Sequence, residues 1–253
     1  MRIHLDEGEN GKGICKLMEI KILFDSKKLN RKFQIGWGVS YLIDGQVLFD
    51  TGERSRYLFG NMDHMGINIS DIKAVVISHD HWDHTNGLWD LLKKRPGLDL
   101  YVCPGFSQQF RNKLETYKCN ITEAESFMKI TDGIYTTGQI LGMYKMNYIA
   151  EQSLVLETEK CLTIMTGCAH PGVIKIVEYV TDNIRNNIHL IMGGFHLLDK
   201  SISEINNINN KFRQLGIEHV GPAHCAGEEA IAIFKESYKT RCIDIEVGKI
   251  IEA

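Results

Sequence analysis

The stretch Ser78-His79-Asp80-His81-Trp82-Asp83-His84 follows directly on the apolar run Ala74-Val75-Val76-Ile77. A short run of this kind, stopped by a polar residue, reads as a buried strand. Residues 86–95, with Leu88, Leu91 and Leu92 on one side, read as a helix. The histidine cluster therefore lies at a strand-to-helix turn, where three imidazoles and a carboxylate within six residues can surround one point. Such an N/O set suits zinc, iron or manganese. A catalytic metal keeps one position open for water and lowers its pKa towards ~7, and two ions ~3.5–4 Å apart can share a hydroxide.

Working outward, residues 39–43 and 46–49 read as strands around Asp44-Gly45, a hairpin signal that suits a type I′ turn. The second strand ends in the polar turn Asp50-Thr51-Gly52, and a helix follows around residues 53–65. Beyond the cluster, Leu98 to Val102 reads as a strand. Residues 105–118 have helical character, and residues 130–148 have the turn-rich pattern of strands and loops. Together, residues 103–150 read as an insertion or a substrate-facing segment of the same domain. The second half repeats one unit three times. A strand enters a glycine, a histidine follows three residues later (Gly167 to His170, Gly193 to His196, Gly221 to His224), and a helix comes next (173–183, 203–215, 228–238). This alternation predicts right-handed βαβ crossovers in an α/β fold, with all three histidines at the carboxyl ends of parallel strands, where open sheets gather ligands.

The bulk properties exclude several classes. The 253 residues carry a net charge of -3, with no basic run longer than a pair, which argues against a nucleic-acid partner. No apolar stretch approaches the roughly 18 residues of a membrane span, and residues 1–16 lack the apolar core of a signal peptide. Residues 1–17 read as an N-terminal extension of doubtful role ahead of a single domain at 18–253. The seven cysteines are odd in number and contain no CxxC pair, a pattern of reduced thiols in a cytoplasmic protein.

The run from Ser78 to His84, continued by Thr85-Asn86-Gly87-Leu88, resembles the HxHxDH signature of the metallo-β-lactamase superfamily. Phe49-Asp50-Thr51-Gly52, about 30 residues upstream, is similar to its strand-end turn. The resemblance spans roughly residues 36 to 253 and implies a four-layer αββα sandwich with a dinuclear site at one sheet edge. Thr166-Gly167-Cys168-Ala169-His170-Pro171-Gly172, Gly193-Gly194-Phe195-His196-Leu197 and Pro222-Ala223-His224-Cys225 look like one subgroup of metal-dependent hydrolases. Some of its members are named as relatives of a synthase that joins a dihydropterin to a ribofuranosyl-aminobenzene phosphate. The chain departs from the commoner superfamily pattern in two ways. No histidine lies between His84 and His170, where Glu151-Gln152-Ser153 occupies the equivalent turn, and Cys168 stands where an aspartate is usual.

Against this background, His79, His81 and His170 are expected to bind one divalent ion and Asp83, His84 and His224 the other, with zinc the first choice over iron or manganese. Asp83 is also expected to orient the bridging hydroxide. His196 is expected either to polarise substrate or ligate as an auxiliary, or to donate a supporting hydrogen bond. Asp50 is expected to orient a ligand histidine, and Cys168 and Cys225 to pack rather than ligate. His4, His64, His189 and His219 read as structural or solvent-facing, and Trp82 as pocket wall or core. The function expected first is hydrolysis of an ester, phosphoester or amide in a small-molecule substrate, phosphorylated molecules included. The alternatives are the synthase-like transfer and a redox or metal-sensing binding protein.

Overall fold

The structure, a computed structural model, describes residues 2–4, 17–158 and 161–253. Its first sheet has the order β1 (Arg2–His4), β16 (Ile250–Glu252), β2 (Glu19–Phe24), β3 (Ser40–Ile43), β4 (Val47–Phe49), β5 (Ala74–Val76), β6 (Leu98–Val102) and β7 (Cys119–Glu123). The second sheet has the order β15 (His219–Ala223), β14 (Asn187–Gly194), β13 (Cys161–Thr166), β12 (Leu154–Glu157), β9 (Ile134–Thr136) and β8 (Met128–Thr131). A separate hairpin is formed by β10 (Ile140–Tyr144) and β11 (Asn147–Glu151). Of the proposed N-terminal extension, residues 2–4 pair with β16, whereas residues 5–16 lie outside the described residues, as does the side chain of His4.

Alternation along the strands creates the layers. Val47 and Phe49 point between the sheets with Tyr41, Met165, Leu190 and Met192, while Leu48 points the other way. Because side chains alternate with period two, a one-residue slip would exchange these faces, so the register is strongly specified. Leu48 meets the first helical layer, α1 (Ser55–His64), α2 (Trp82–Lys94) and α3 (Gln108–Leu114), through Leu58, Leu88, Leu91 and Phe110. On the far side, Ile164, Ile191 and Val220 pack beneath α4 (Val173–Asn183), α5 (Ile202–Gln214) and α6 (Glu228–Tyr238). The result is the αββα sandwich. Each fully buried Leu, Ile or Phe adds about 1.5–3 kcal/mol of burial, which makes the sheets a rigid frame for residues at their ends.

The hairpin turn forms as its sequence suggests: Asp44 and Gly45 have φ of 46° and 69°, and Gln46 N–H bonds Ile43 O at 2.9 Å. In the second half β13, β14 and β15 are parallel neighbours, linked through α4 and α5. Residues 103–150 are not an insertion. They supply β7 to one sheet and β8 and β9 to the other, and only the β10–β11 hairpin reaches the site. Their short strands and turns conceal this, because pairing is decided by neighbours far along the chain. Among the described residues, no helix is long and apolar enough to cross a membrane.

Candidate metal centre

Strands from both sheets end at the same edge of the sandwich and deliver the site. β4 runs into Asp50, β5 into His79, β13 into Cys168 and His170, β14 into His196 and β15 into His224. His81 is the N-cap residue of α2, so Asp83 and His84 lie in its first turn, earlier than the helix start near residue 86 expected from periodicity. Asp50, Ala169, His196 and His224 all have positive φ, between 48° and 63°. Such conformations are costly for residues with a Cβ and gather at functional sites.

The six expected ligands converge. The rings of His79 and His81 have centroids 4.6 Å apart, and those of His79 and His170 lie at 4.7 Å. His79 Nε2 faces His81 Nδ1 at 3.1 Å. In the other half, Asp83 Oδ2 lies 3.4 Å from both His84 Nε2 and His224 Nε2. Cys168 Sγ, expected only to pack, sits between the halves, 3.5 Å from His84 Nε2. It can join either of two clusters, His79-Cys168-His170 or His84-Cys168-His224, whose ligand atoms lie within 4.8 Å of one another.

Buried carboxylates set the tautomers. Asp50 accepts from Ser78 N and Ser78 Oγ, each at 2.7 Å, and meets His84 Nδ1 at 2.7 Å. Ser78 Oγ in turn meets His79 Nδ1 at 2.9 Å. Protons on these Nδ1 atoms leave both Nε2 lone pairs directed into the cluster. Glu151, a residue to which sequence reasoning assigned no role, does the same for His170. Its Oε1 accepts from the backbone of Cys168 and Ala169, and its Oε2 from the backbone and Nδ1 of His170, all at 2.7–2.9 Å. The only sequence signal was its place in the turn where a histidine is usual.

The donor chemistry fits a divalent metal. Burial, followed by the neighbouring imidazoles, holds the His79 pKa well below its ordinary value, which keeps its lone pair available. Burial resists charge on His84, but Asp50 and then Asp83 overcome it and push its pKa up to about 10. The hole between these carboxylates thus favours a positive charge. Burial and Cys225 push the Cys168 thiol well up, so its sulfur keeps its proton unless a cation displaces it. Beyond its long 3.4 Å approach to Asp83 Oδ2, the buried His224 Nε2 has no hydrogen-bond partner among the described residues, as expected of a nitrogen shaped for an ion. Its Nδ1 faces the Gly38 N–H at 3.2 Å. Ligation through Nε2 puts a proton on Nδ1, so the Gly38 loop is the part of the site that must adjust.

The cluster lies at the floor of a cavity of about 740 Å³. Trp37, Trp82 and Tyr144 wall it, and Lys145 and Lys200 line it. Trp82 is 55% exposed and so is pocket wall, not core. His196 also lines the cavity, its ring 4.5 Å from that of His170 and 6.0 Å from that of Tyr144. Of the remaining histidines, His64 is exposed and bonded to Gly60 O, whereas His189 and His219 meet each other.

A family model described as a beta-lactamase superfamily domain matches residues 46–138, from β4 through the histidine cluster to the end of β9. The match covers the first half of the site and shows what that segment is similar to. Beyond that span, the chain is 28% identical over 289 residues to a Methanocaldococcus jannaschii protein named 7,8-dihydropterin-6-methyl-4-(beta-D-ribofuranosyl)-aminobenzene-5'-phosphate synthase, with 94% of this chain and 98% of the relative covered. The crystal structure of Tm1679, a metal-dependent hydrolase of the beta-lactamase superfamily, matches with a TM-score of 0.78 at 28% identity, covering 93% of this chain and 99% of that one. The metallo-β-lactamase fold protein YhfI from Bacillus subtilis shares the fold, with a TM-score of 0.67 at 12% identity and coverage of 94% and 100%. The sequence resemblance and the αββα expectation therefore both hold.

Proposed function

We propose that this protein is a hydrolase with two divalent ions, zinc first, that cleaves an ester or phosphoester bond in a small molecule with a planar aromatic part. The observation that carries this is the convergence of six His and Asp ligand atoms and one thiol on the floor of an aromatic-walled cavity with two lysines. Full-length similarity to a metal-dependent hydrolase supports the reaction class. His79, His81 and His170 would hold one ion, and Asp83, His84 and His224 the other, with Cys168 between them. Bound ions would supply Lewis acidity towards a carbonyl or phosphoryl oxygen and acidify water.

The chain's own groups do the rest. Asp50 and Glu151 keep the imidazoles in the ligating tautomer. Despite its burial, the adjacent imidazoles of His224 and His84 hold the Asp83 carboxyl below the ordinary carboxylate range, so it stays ionised and can orient a nucleophilic water by accepting a hydrogen bond from it. His196, in the cavity beside His170, is placed to donate to a substrate oxygen. Lys145 and Lys200 would attract an anionic group, while Trp37, Trp82 and Tyr144 stack on a flat ring and exclude water.

The same walls favour a second reading, transfer rather than hydrolysis, because the name of the M. jannaschii relative specifies a pterin and an aminobenzene phosphate. Metal analysis with a substrate panel separates the two. Turnover of simple esters or phosphodiesters, lost together with metal in His81→Ala, is the expected result. Turnover confined to a dihydropterin pyrophosphate paired with an aminobenzene riboside phosphate would replace hydrolysis by transfer. One ion per fully loaded chain would remove the second metal position.

A further inference from the structure

We propose that His189, Glu218 and His219 form a second, peripheral site for a borderline divalent ion such as zinc. These residues lie at the starts of β14 and β15, two parallel strands in which Leu190 pairs with His219. The catalytic cluster lies beyond the opposite ends of the same strands. His219 and His224 are five residues apart, roughly 16 Å of extended chain, so the two sites share no ligand.

The geometry brings three metal-competent groups together. His189 Nδ1 lies 2.8 Å from Glu218 Oε2, and the His189 and His219 rings have centroids 4.6 Å apart at 52°. One ligand atom from each of the three lies within 4.8 Å of the others. Two imidazoles and a carboxylate form a set that holds zinc with water in the fourth position. The His189–Glu218 contact alone would be an ordinary ion pair. It leaves His219 Nδ1 buried without a well-formed hydrogen bond among the described residues, although the His189 backbone acts on the same ring. A buried polar atom without a partner needs a cause, and a cation held between the two rings supplies one.

Charge and access are consistent with this assignment. Burial, then repulsion from His189, lowers the pKa of His219, so its ring stays neutral and its lone pair is free to ligate. Glu218 supplies the negative charge that offsets Arg241, whose positive charge reaches His219. The Glu218 side chain is 49% exposed, so an ion can enter from solvent.

The test counts zinc on the full chain. Metal-stripped protein is reloaded with zinc, freed of loosely bound ions, and assayed by elemental analysis beside a folded His189→Ala/His219→Ala variant. The expected result is one zinc ion fewer per chain in the variant, with hydrolytic activity unchanged because neither residue touches the cavity. In the unmutated protein, zinc should also shift the ¹⁵N resonance of His219 Nδ1, and Glu218→Gln should weaken that response. Equal zinc counts in a folded variant would overturn the proposal. If the double variant does not fold, a His219 Nδ1 resonance that is unmoved at saturating zinc would overturn it on the unmutated chain.

Discussion

Glu151→Gln isolates the part of the site that holds His170. The carboxylate is fully buried and accepts four hydrogen bonds, two at each oxygen. A glutamine keeps the shape but replaces one oxygen by a donor. If its amide oxygen stays with Cys168 and Ala169, the NH₂ group faces the N–H and Nδ1 of His170. The ring can then accept at Nδ1 only by moving its proton to Nε2, which removes the lone pair meant for an ion. The His170 backbone N–H is still left facing a donor, at a cost of about 1–3 kcal/mol. If the amide flips, the backbone N–H groups of Cys168 and Ala169 lose their acceptor instead, so neither orientation escapes. Losing a partner that orients a metal-ligating histidine typically weakens metal binding roughly 10–100-fold. In a chain of this size each kcal/mol shifts Tm by about 2–4 °C. Expected, therefore, are a Tm lowered by about 2–12 °C in metal-stripped protein and a roughly 10–100-fold weaker hold on one zinc ion in a chelator competition. A Gln variant with unchanged Tm and unchanged zinc affinity would refute the assignment of Glu151 as the residue that positions His170.

Three further outcomes follow from the same geometry. Burial raises the Asp25 pKa from 3.8 to about 6, so its folded state prefers the proton and is penalised at neutral pH. Asp25→Asn should therefore stabilise metal-stripped protein by up to about 3 kcal/mol above pH 6. That advantage should vanish as the pH falls from 6 to 3.8, and unfolding curves across the range would expose a wrong sign. Cobalt substitution should give a near-ultraviolet sulfur-to-metal band that Cys168→Ser abolishes, and a spectrum identical in the two proteins would exclude Cys168 as a ligand. At Gly38, φ is +100° and an added Cβ would lie 1.8 Å from Asp83 O. Gly38→Ala should consequently cost at least about 1–2 kcal/mol and lower activity by displacing the first turn of α2, both readable from Tm and kcat.

Much of the fold was legible because it is written in short-range patterns. The helices at 173–183 and 228–238 were bounded correctly from periodicity, and Asp44-Gly45 marked its turn because few residue pairs accept two positive φ values in succession. The β7–β9 region failed for the converse reason. Its strands are three to five residues long, β7 and β8 are half-exposed, and only their partners in two different sheets make them strands. The helix around 82–94 was foreseen, but its start was placed four residues late because Trp82, Asp83 and His84 were read as a site and not as a first turn.

The sequence alone determined which ligand types meet, since a strand feeding His79, His81, Asp83 and His84 into a tight turn crowds imidazoles and a carboxylate around one point. It also placed His170, His196 and His224 at strand ends, because a parallel βαβ sheet brings all its carboxyl ends to one edge. Only the tertiary structure decided that Cys168 lies between the two halves, that Glu151 clamps His170, and that Trp37 and Gly38 close over His224 from 186 residues away. It likewise brought His189 to His219, which the chain separates by a whole helix. Such meetings depend on how one sheet packs on the other, a long-range property that leaves no local period in the sequence for reading to find.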